Sequence, residues 1–321
     1  MKQFHSLVSI IMPCYNDSQF IEKAIDSVLE QKYSHFELII INDGSTDDSE
    51  SIILKYTDSR IRYYKQVNKG QCAASNFGLS VAKGDYIKFF DADDLLNSEH
   101  LLAQMERMNG EIDVLVSCEW ARFFGDEPNE AKFIPEKVWR DMESLDWIKT
   151  SLSQRYDMMG LCIWLIPRSV INSVGGWDER LTLNNDFEFS MRLLTNIRKV
   201  LFASDAKLYY RSGNISLSSK TSEESYRKAL LSTDLGCGYL LDKENTKYTK
   251  ELCANRYQEW LFRIFPDYSA LQIEIENKIK LLGGSNRKIE GSLLFKIVSQ
   301  VLGWKKAKRI QMVLKREINL F

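Results

Sequence analysis

The stretch Gly84-Asp85-Tyr86-Ile87-Lys88-Phe89-Phe90-Asp91-Ala92-Asp93-Asp94 decides how this chain folds. Tyr86 to Phe90 is a short, mostly apolar run behind a Lys-Gly-Asp turn, so it reads as a buried strand. The run passes without a break into three carboxylates. Ligands of open α/β sheets gather at the carboxyl ends of the strands, in the crevice left between connections. Carboxylates placed this closely repel one another and resist desolvation unless a cation or water compensates. A hard divalent ion, Mg²⁺ or Mn²⁺, meets that need and also bridges phosphates. A solvated helix cap ahead of Leu95-Leu96 accounts for the same residues without any ligand.

Upstream, two hydrophobic periods alternate. Leu7 to Met12 is a buried strand that Pro13 is expected to end, and Phe20, Ile21, Ala24, Ile25, Val28 and Leu29 follow at helical spacing. Phe36 to Ile41 is a second strand, followed by a turn rich in capping side chains, Asn42 to Ser49. Ile52, Ile53 and Tyr56 continue as a helix. Ile61 to Tyr64 is a third strand, and Ala73, Ala74, Phe77 and Val81 mark another helix. Alternation of this kind makes a parallel sheet covered by helices. Downstream, Val114 to Cys118, Cys162 to Ile166 and Lys207 to Tyr210 read as strands, Asp186 to Leu194 as a helix, and the chain beyond Ser222 as mainly helical.

Composition narrows the function by exclusion. A formal charge of -1 over 321 residues gives no general pull toward nucleic acid. The six cysteines are scattered, without a C-x-x-C pair or zinc spacing, and read as buried thiols of a reducing compartment. The first residues lack the pattern of a signal peptide, and there is no apolar stretch of spanning length, so a cytoplasmic protein is expected. The turn after the first strand, Pro13-Cys14-Tyr15-Asn16, is not the glycine-rich turn of a nicotinamide dehydrogenase or a sugar nucleotidyltransferase, and no P-loop is present.

Two more strand ends carry candidates. In Ile41-Asn42-Asp43-Gly44-Ser45, Asp43 is placed either to accept the N3–H of a uracil, with Gly44 giving room, or to cap a helix. Tyr15 either lies against a base or covers a core edge. Taken alone, Asp186 is a helix-start charge favoured by the macrodipole.

Taken together and in order, these segments resemble the family 2 glycosyltransferases. The resemblance rests on Val8 to Asn16, Ile39 to Asp47, Asn68-Lys69-Gly70 through Asn76-Phe77-Gly78, and Gly84 to Asp94. Gly175-Gly176-Trp177-Asp178-Glu179 is similar to the family's Gly-Gly-Phe-Asp-Glu turn, and Asn184 to Phe189 with Arg192 to its Glu-Asp helix. The resemblance implies a GT-A fold: a Rossmann-like, mostly parallel sheet flanked by helices, with a donor half over about 1–110, an acceptor half over about 111–215 and a helical region over 216–321. It implies an inverting, metal-dependent hexosyltransferase that uses a nucleoside-diphosphate sugar, UDP-linked by preference, and a glycan or lipid-linked acceptor. By that resemblance Asp43 reads the base, Asp91 the ribose, and Asp93 holds the metal on the pyrophosphate. Pro13, Tyr15, Asn16, Lys69, Asn76 and Ala92 complete the nucleotide-sugar site, Trp177, Asp178 and Glu179 face the acceptor, and Asp186 is the general base. One base and no covalent nucleophile is the requirement of an inverting displacement. Two positions depart from the family pattern: Ser75 stands where an arginine is common, and Gly213 where a histidine ligand is common. They are the support for a rival class, a catalytically silent nucleotide-sugar-binding or scaffold protein on the same fold.

One segment lies outside that pattern. Leu293, Leu294, Ile297, Val298, Val301, Leu302 and Trp304, then Met312, Val313, Ile318, Leu320 and Phe321, alternate with Lys305, Lys306, Lys308, Arg309, Lys315 and Arg316, opposed only by Glu317. These apolar residues either pack on the catalytic domain, or the tail makes a peripheral contact with an anionic membrane.

Overall fold

The computed structural model describes residues 6–154, 158–213 and 222–318, with side chains through Leu314. Through the first ninety residues β1 (Val8–Cys14), α1 (Ile21–Leu29), β2 (Phe36–Asn42), α2 (Ser49–Ile53), β3 (Ile61–Lys65), α3 (Gln71–Val81) and β4 (Tyr86–Phe89) alternate. The strands pair in parallel in the order β3-β2-β1-β4. Ile21, Ala24, Ile25 and Val28 recur every three or four residues, so α1 turns one apolar stripe onto the sheet and buries it. α2 is a single short helix; Tyr56 lies beyond it and donates its hydroxyl to Asp26 at 2.8 Å.

Pro13 does not end β1, which runs on to Cys14. Pairing with β4 stops at Ile11↔Phe89, whereas pairing with β2 continues to Cys14↔Asn42. The Val8 N–H points toward β2 and the Ile11 carbonyl toward β4, so by alternation the missing N–H of Pro13 lies on the β4 side, beyond the last pair. The proline therefore costs the ladder no bond.

The chain then forms β5 (Leu95–Leu96), α4 (His100–Met108), β6 (Val114–Phe123), β7 (Met142–Glu143), α5 (Ser144–Ser153), β8 (Ile166–Pro167), α6 (Arg168–Val174), α7 (Asn185–Leu194) and β9 (Lys199–Arg211). β8 joins the first sheet antiparallel to β4. β5, β9 and β6 make a second sheet, with β7 along β9. Cys162 falls in a 3₁₀ turn, Leu161–Ile163, rather than in the expected strand, and only Ile166 and Pro167 pair with β4. The late strand starts at Lys199, well before Lys207. Its register against β6 jumps from Cys118↔Ala203 to Glu119↔Lys207, and the extra residues Ser204 to Ala206 break the apolar pattern that the sequence reading relied on.

α8 (Glu223–Lys243), α9 (Lys247–Ile264), α10 (Ser269–Leu281), α11 (Leu293–Leu302) and α12 (Trp304–Ile318) complete the described chain. α8 lies along α7, where Ser232 donates its hydroxyl to the Asn184 carbonyl at 2.5 Å. The expected boundary at 215/216 falls outside the described residues. All six cysteines are free and buried. Among the described residues no helix is long and apolar enough to cross a membrane.

Candidate active site

The carboxyl end of β4, the first turn of α7 and the β1–α1 connection bring five acidic side chains into one region. Carboxylate oxygens of Asp91 and Asp94 and the Cys162 sulfur lie within 4.8 Å of one another. Burial, with Asp186, Asp93 and Asp17 nearby, holds the Asp91 carboxyl well above the ordinary carboxylate range. Burial, then Asp93 and Asp91, do the same to Asp94, whose Oδ2 is buried without a hydrogen-bond partner. Burial raises Asp93, with Arg211 opposing. It pushes Asp186 up to about 6 against a hydrogen bond from the Leu161 N–H, and Asp17 up to about 6 with Asp93 and Asp47 adding to the effect.

Several groups that sequence reasoning missed hold this constellation. The Gln71 side chain donates to Asp91 Oδ1 at 3.1 Å and accepts from Asn185 at 3.3 Å, a relay that ties β4 to the start of α7. Arg211, at the end of β9, donates its N–H to Asp94 Oδ1 at 2.8 Å and its Nε to the Asp93 carbonyl at 2.7 Å, and its guanidinium also reaches the Gly125 carbonyl. The same guanidinium lies 4.5 Å from the centre of the Phe20 ring and 4.4 Å from that of Phe123. Lys88 is fully buried within β4 and donates to the Cys162 carbonyl at 2.8 Å; burial lowers its pKa to about 8. A lysine inside an apolar run and an arginine at the end of a strand were the available signals, since neither is stable there without a partner.

Asp43 is almost fully buried and is held by the loop before α3. Its Oδ1 accepts the Lys69 N–H at 2.9 Å and the Gln66 amide at 2.6 Å, and its Oδ2 the Gly70 N–H at 2.8 Å. A carboxylate has about four acceptor positions, so one remains. Gly44 has φ +76°, and a Cβ there would stand 2.8 Å from the Asn68 nitrogen, so this turn admits only glycine. Lys69 contributes its backbone to this brace. Asn16, also left-handed, accepts the Thr46 N–H at 2.8 Å and locks the β1–α1 connection onto the loop after β2. Tyr15 projects from that connection and is 42% exposed, which makes it a surface ring rather than a cover for the core. Ala92 is buried between the carboxylates.

On the α7 side, Asn76 donates to the Trp177 carbonyl at 3.0 Å and to Glu179 at 2.8 Å, and accepts the Trp177 N–H at 2.8 Å. Arg192 donates to the Val174 and Gly176 carbonyls and pairs with buried Glu188. Trp177 packs edge-on against Phe89 and Phe189, so its ring belongs to the core. Asp178 pairs with Arg180. Ser75 is buried on α3. Gly213 has φ +95° and a would-be Cβ 3.1 Å from Phe124, so a histidine ligand there would be strained; Ser216-Leu217-Ser218 lie outside the described residues. A cavity of about 610 Å³, lined by Trp120, Arg122, Phe123, Phe124 and Met158 among others, meets the Arg211 clamp through Phe123 and contains none of the five acidic residues. A larger cleft of about 990 Å³, with Trp139, Asp141 and Lys149 in its wall, shares no residue with the acidic group.

A parallel sheet whose strand ends meet a buried acidic cluster puts the site where open α/β sheets bind their ligands. Residues 9–163 match the family model Glycosyl transferase family 2. An uncharacterised glycosyltransferase of Haemophilus influenzae is 31% identical over 217 residues, 66% of this chain and 82% of that protein. One of Rickettsia typhi is 32% identical over 199 residues, 60% of this chain and 61% of the relative. The match thus spans about three-fifths of the Rickettsia protein's length. The crystal structure of Staphylococcus aureus TarS 1–349 in complex with UDP-GlcNAc superposes with a TM-score of 0.68 over 86% of this chain and 81% of that one, at 18% identity. The fold is GT-A. The chain belongs to glycosyl transferase family 2.

Proposed function

We propose that the protein transfers a hexose, with inversion, from a nucleoside-diphosphate sugar to an acceptor hydroxyl, with Mn²⁺ or Mg²⁺ as cofactor. A UDP-sugar is the preferred donor. The observation that carries this reading is the opposition of Asp186 and Asp91: one begins α7, the other ends β4, and the charge of the first raises the pKa of the second. In this reading Asp186 is the acceptor-side base and Asp91 a donor-side carboxylate close enough to feel its charge.

In this reading Asp43 spends its remaining acceptor position on the base, with Pro13, Tyr15 and Asn16 around it. Asp91 takes the ribose, and Lys69, Asn76 and Ala92 line or brace the donor path. The metal requirement is supported by the orphaned Asp94 Oδ2 and by burial and mutual charge that raise the Asp91 and Asp94 carboxyls well above the ordinary range. Asp93 would hold the ion with Asp94 beside it, although the group whose ligand atoms lie within 4.8 Å of one another is Asp91, Asp94 and Cys162 and does not include Asp93. Cys162, whose thiol is pushed well above its usual range by burial and by Asp94, is a poor ligand for a hard cation. When bound, the ion would supply charge neutralisation for the departing diphosphate. Asp186 accepts the proton of the acceptor hydroxyl as that oxygen attacks the anomeric carbon from the face opposite the leaving group, which inverts the centre. Trp177, Asp178 and Glu179 hold the turn that shapes the acceptor side.

Residues 1–110 make the donor half, 111–215 the acceptor half, and 216–321 a helical region that backs α7. The setting proposed is cytoplasmic assembly of bacterial surface polysaccharide or glycoconjugate, with a glycan or lipid-linked acceptor. The test is donor hydrolysis and transfer over a panel of nucleotide sugars, with and without Mn²⁺. A UDP-sugar consumed only with metal is expected. Full activity in verified metal-free protein ends the metal assignment, and binding without turnover favours the silent class.

A further inference from the structure

Eight of the seventeen exposed large apolar side chains among the described residues fall between Leu293 and Leu314. On α11, Leu294, Ile297 and Val301 follow one another at helical spacing, with Leu293 and Leu302 beside them, and Val301 is 77% exposed. On α12, Ile310, Val313 and Leu314 form a second patch. The two helices pack on each other, burying Phe295 and Ala307. They are fixed to the body through Trp304, which meets Phe262 and Phe265 edge-on, through Lys305 on Glu276, and through Lys308 on the Phe262 carbonyl. The pair is thus anchored on one side and presents apolar side chains on the other, the reverse of an ordinary surface helix.

Charge says what covers that face. Residues 291–314 carry Lys296, Lys305, Lys306, Lys308 and Arg309 and no acidic residue, in a chain whose formal charge is -1. Lys306, Ile310 and Leu314 are spaced four apart on one face of α12, as are Arg309 and Val313, so cations stand one turn from the exposed apolar groups. A second copy of this chain would bring like charges together. An anionic lipid surface takes both halves of the pattern at once: acyl chains for the apolar stripe, headgroups for the exposed Lys296, Lys306 and Arg309, while Lys305 and Lys308 hold the body.

We propose that the α11–α12 hairpin docks the enzyme, in the plane of the interface, on an anionic lipid membrane. The inference stands apart from the transferase reading, since none of its residues lies near the acidic crevice. The experiment is co-sedimentation of the full chain with vesicles of phosphatidylcholine alone and of phosphatidylcholine with 30 mol% phosphatidylglycerol, a composition on the order of natural anionic surfaces, at low and high salt. Binding to the anionic vesicles only, weakened by salt, is expected. The exposed-charge variant Lys296→Glu/Lys306→Glu should weaken it at least tenfold, on the basis of about fivefold per basic group. The apolar variant Ile297→Ser/Val301→Ser/Val313→Ser should also weaken it, with the melting temperature unchanged in both. Because these side chains are exposed, a melting shift in the apolar variant leaves the charge variant to decide. Absence of binding at low salt, equal binding by the charge variant, or a salt-insensitive dimer that the apolar variant dissolves overturns the proposal.

Discussion

The backbone N–H of Arg211 donates to the Asp94 carboxylate at 2.8 Å, joining the end of β9 to the acidic motif after β4 across 117 residues of sequence. The guanidinium of the same residue holds the Asp93 and Gly125 carbonyls, so one side chain fixes both the cluster and the loop after β6. Replacing it by methionine keeps the backbone bond but strands two buried carbonyls. Arg211→Met should cost about 3 kcal/mol of stability and weaken Mn²⁺ binding. Lysine should not rescue it, because its ammonium cannot reach both carbonyls and lie flat between Phe20 and Phe123. Chemical denaturation and Mn²⁺ titration of the three proteins check this.

Asp186→Asn removes the proposed proton acceptor and leaves the shape. Turnover should fall by about 10²–10⁴-fold with donor affinity nearly unchanged. With a carboxyl at about 6, the wild-type rate should drop as pH falls through that value, since the base must be ionised to act. A pH–rate profile with no acidic limb, or an equal loss of donor affinity, removes Asp186 from this role.

The metal-free cluster should make stability depend on pH in an unusual direction. A carboxyl whose folded pKa is raised favours folding when protonated, and that contribution is lost as pH rises through the folded value. Asp17 and Asp186, both near 6, and Asp91, Asp93 and Asp94 above the ordinary range all act this way. Neutral His100 opposes them only below its unfolded pKa near 6.5, and Lys88 acts above about 8. The metal-free protein should therefore melt lower at pH 8 than at pH 6. Asp94→Asn should shrink that difference and abolish stabilisation by Mn²⁺. An unchanged pH dependence in the variant would show that Asp94 stays ionised.

Asn76 joins α3 to the turn before Asp178 through both faces of one amide. Asn76→Ala should destabilise the protein by about 1–3 kcal/mol. If the turn shapes the acceptor side, the acceptor KM should rise more than the donor KM. The reverse order would make Asn76 a donor contact first and a brace second.

The alternation of buried strands with amphipathic helices, and the carboxylates after Phe90, were legible because local hydrophobic period and strand-end position are written in consecutive residues. The second sheet was only half legible: three inserted residues in β9 broke its apolar pattern, and the 3₁₀ turn at Cys162 has the composition of a strand. The relay from Asn185 through Gln71 to Asp91 joins residues 114 and 20 positions apart, a relation no local pattern encodes. Asn76 and Trp177 carry the family pattern, yet their contacts here are with the protein itself. A motif names a position; burial and partners say what the side chain does there.

The step at Pro13 has a further consequence. β1 runs past its last pair with β4, so Pro13 and Cys14 reach the carboxyl end of the sheet paired on the β2 side alone. Exposed strand edges invite pairing with other chains. Here the first free position with an N–H due on that side is a proline, so an intruding strand finds no donor with which to begin a ladder.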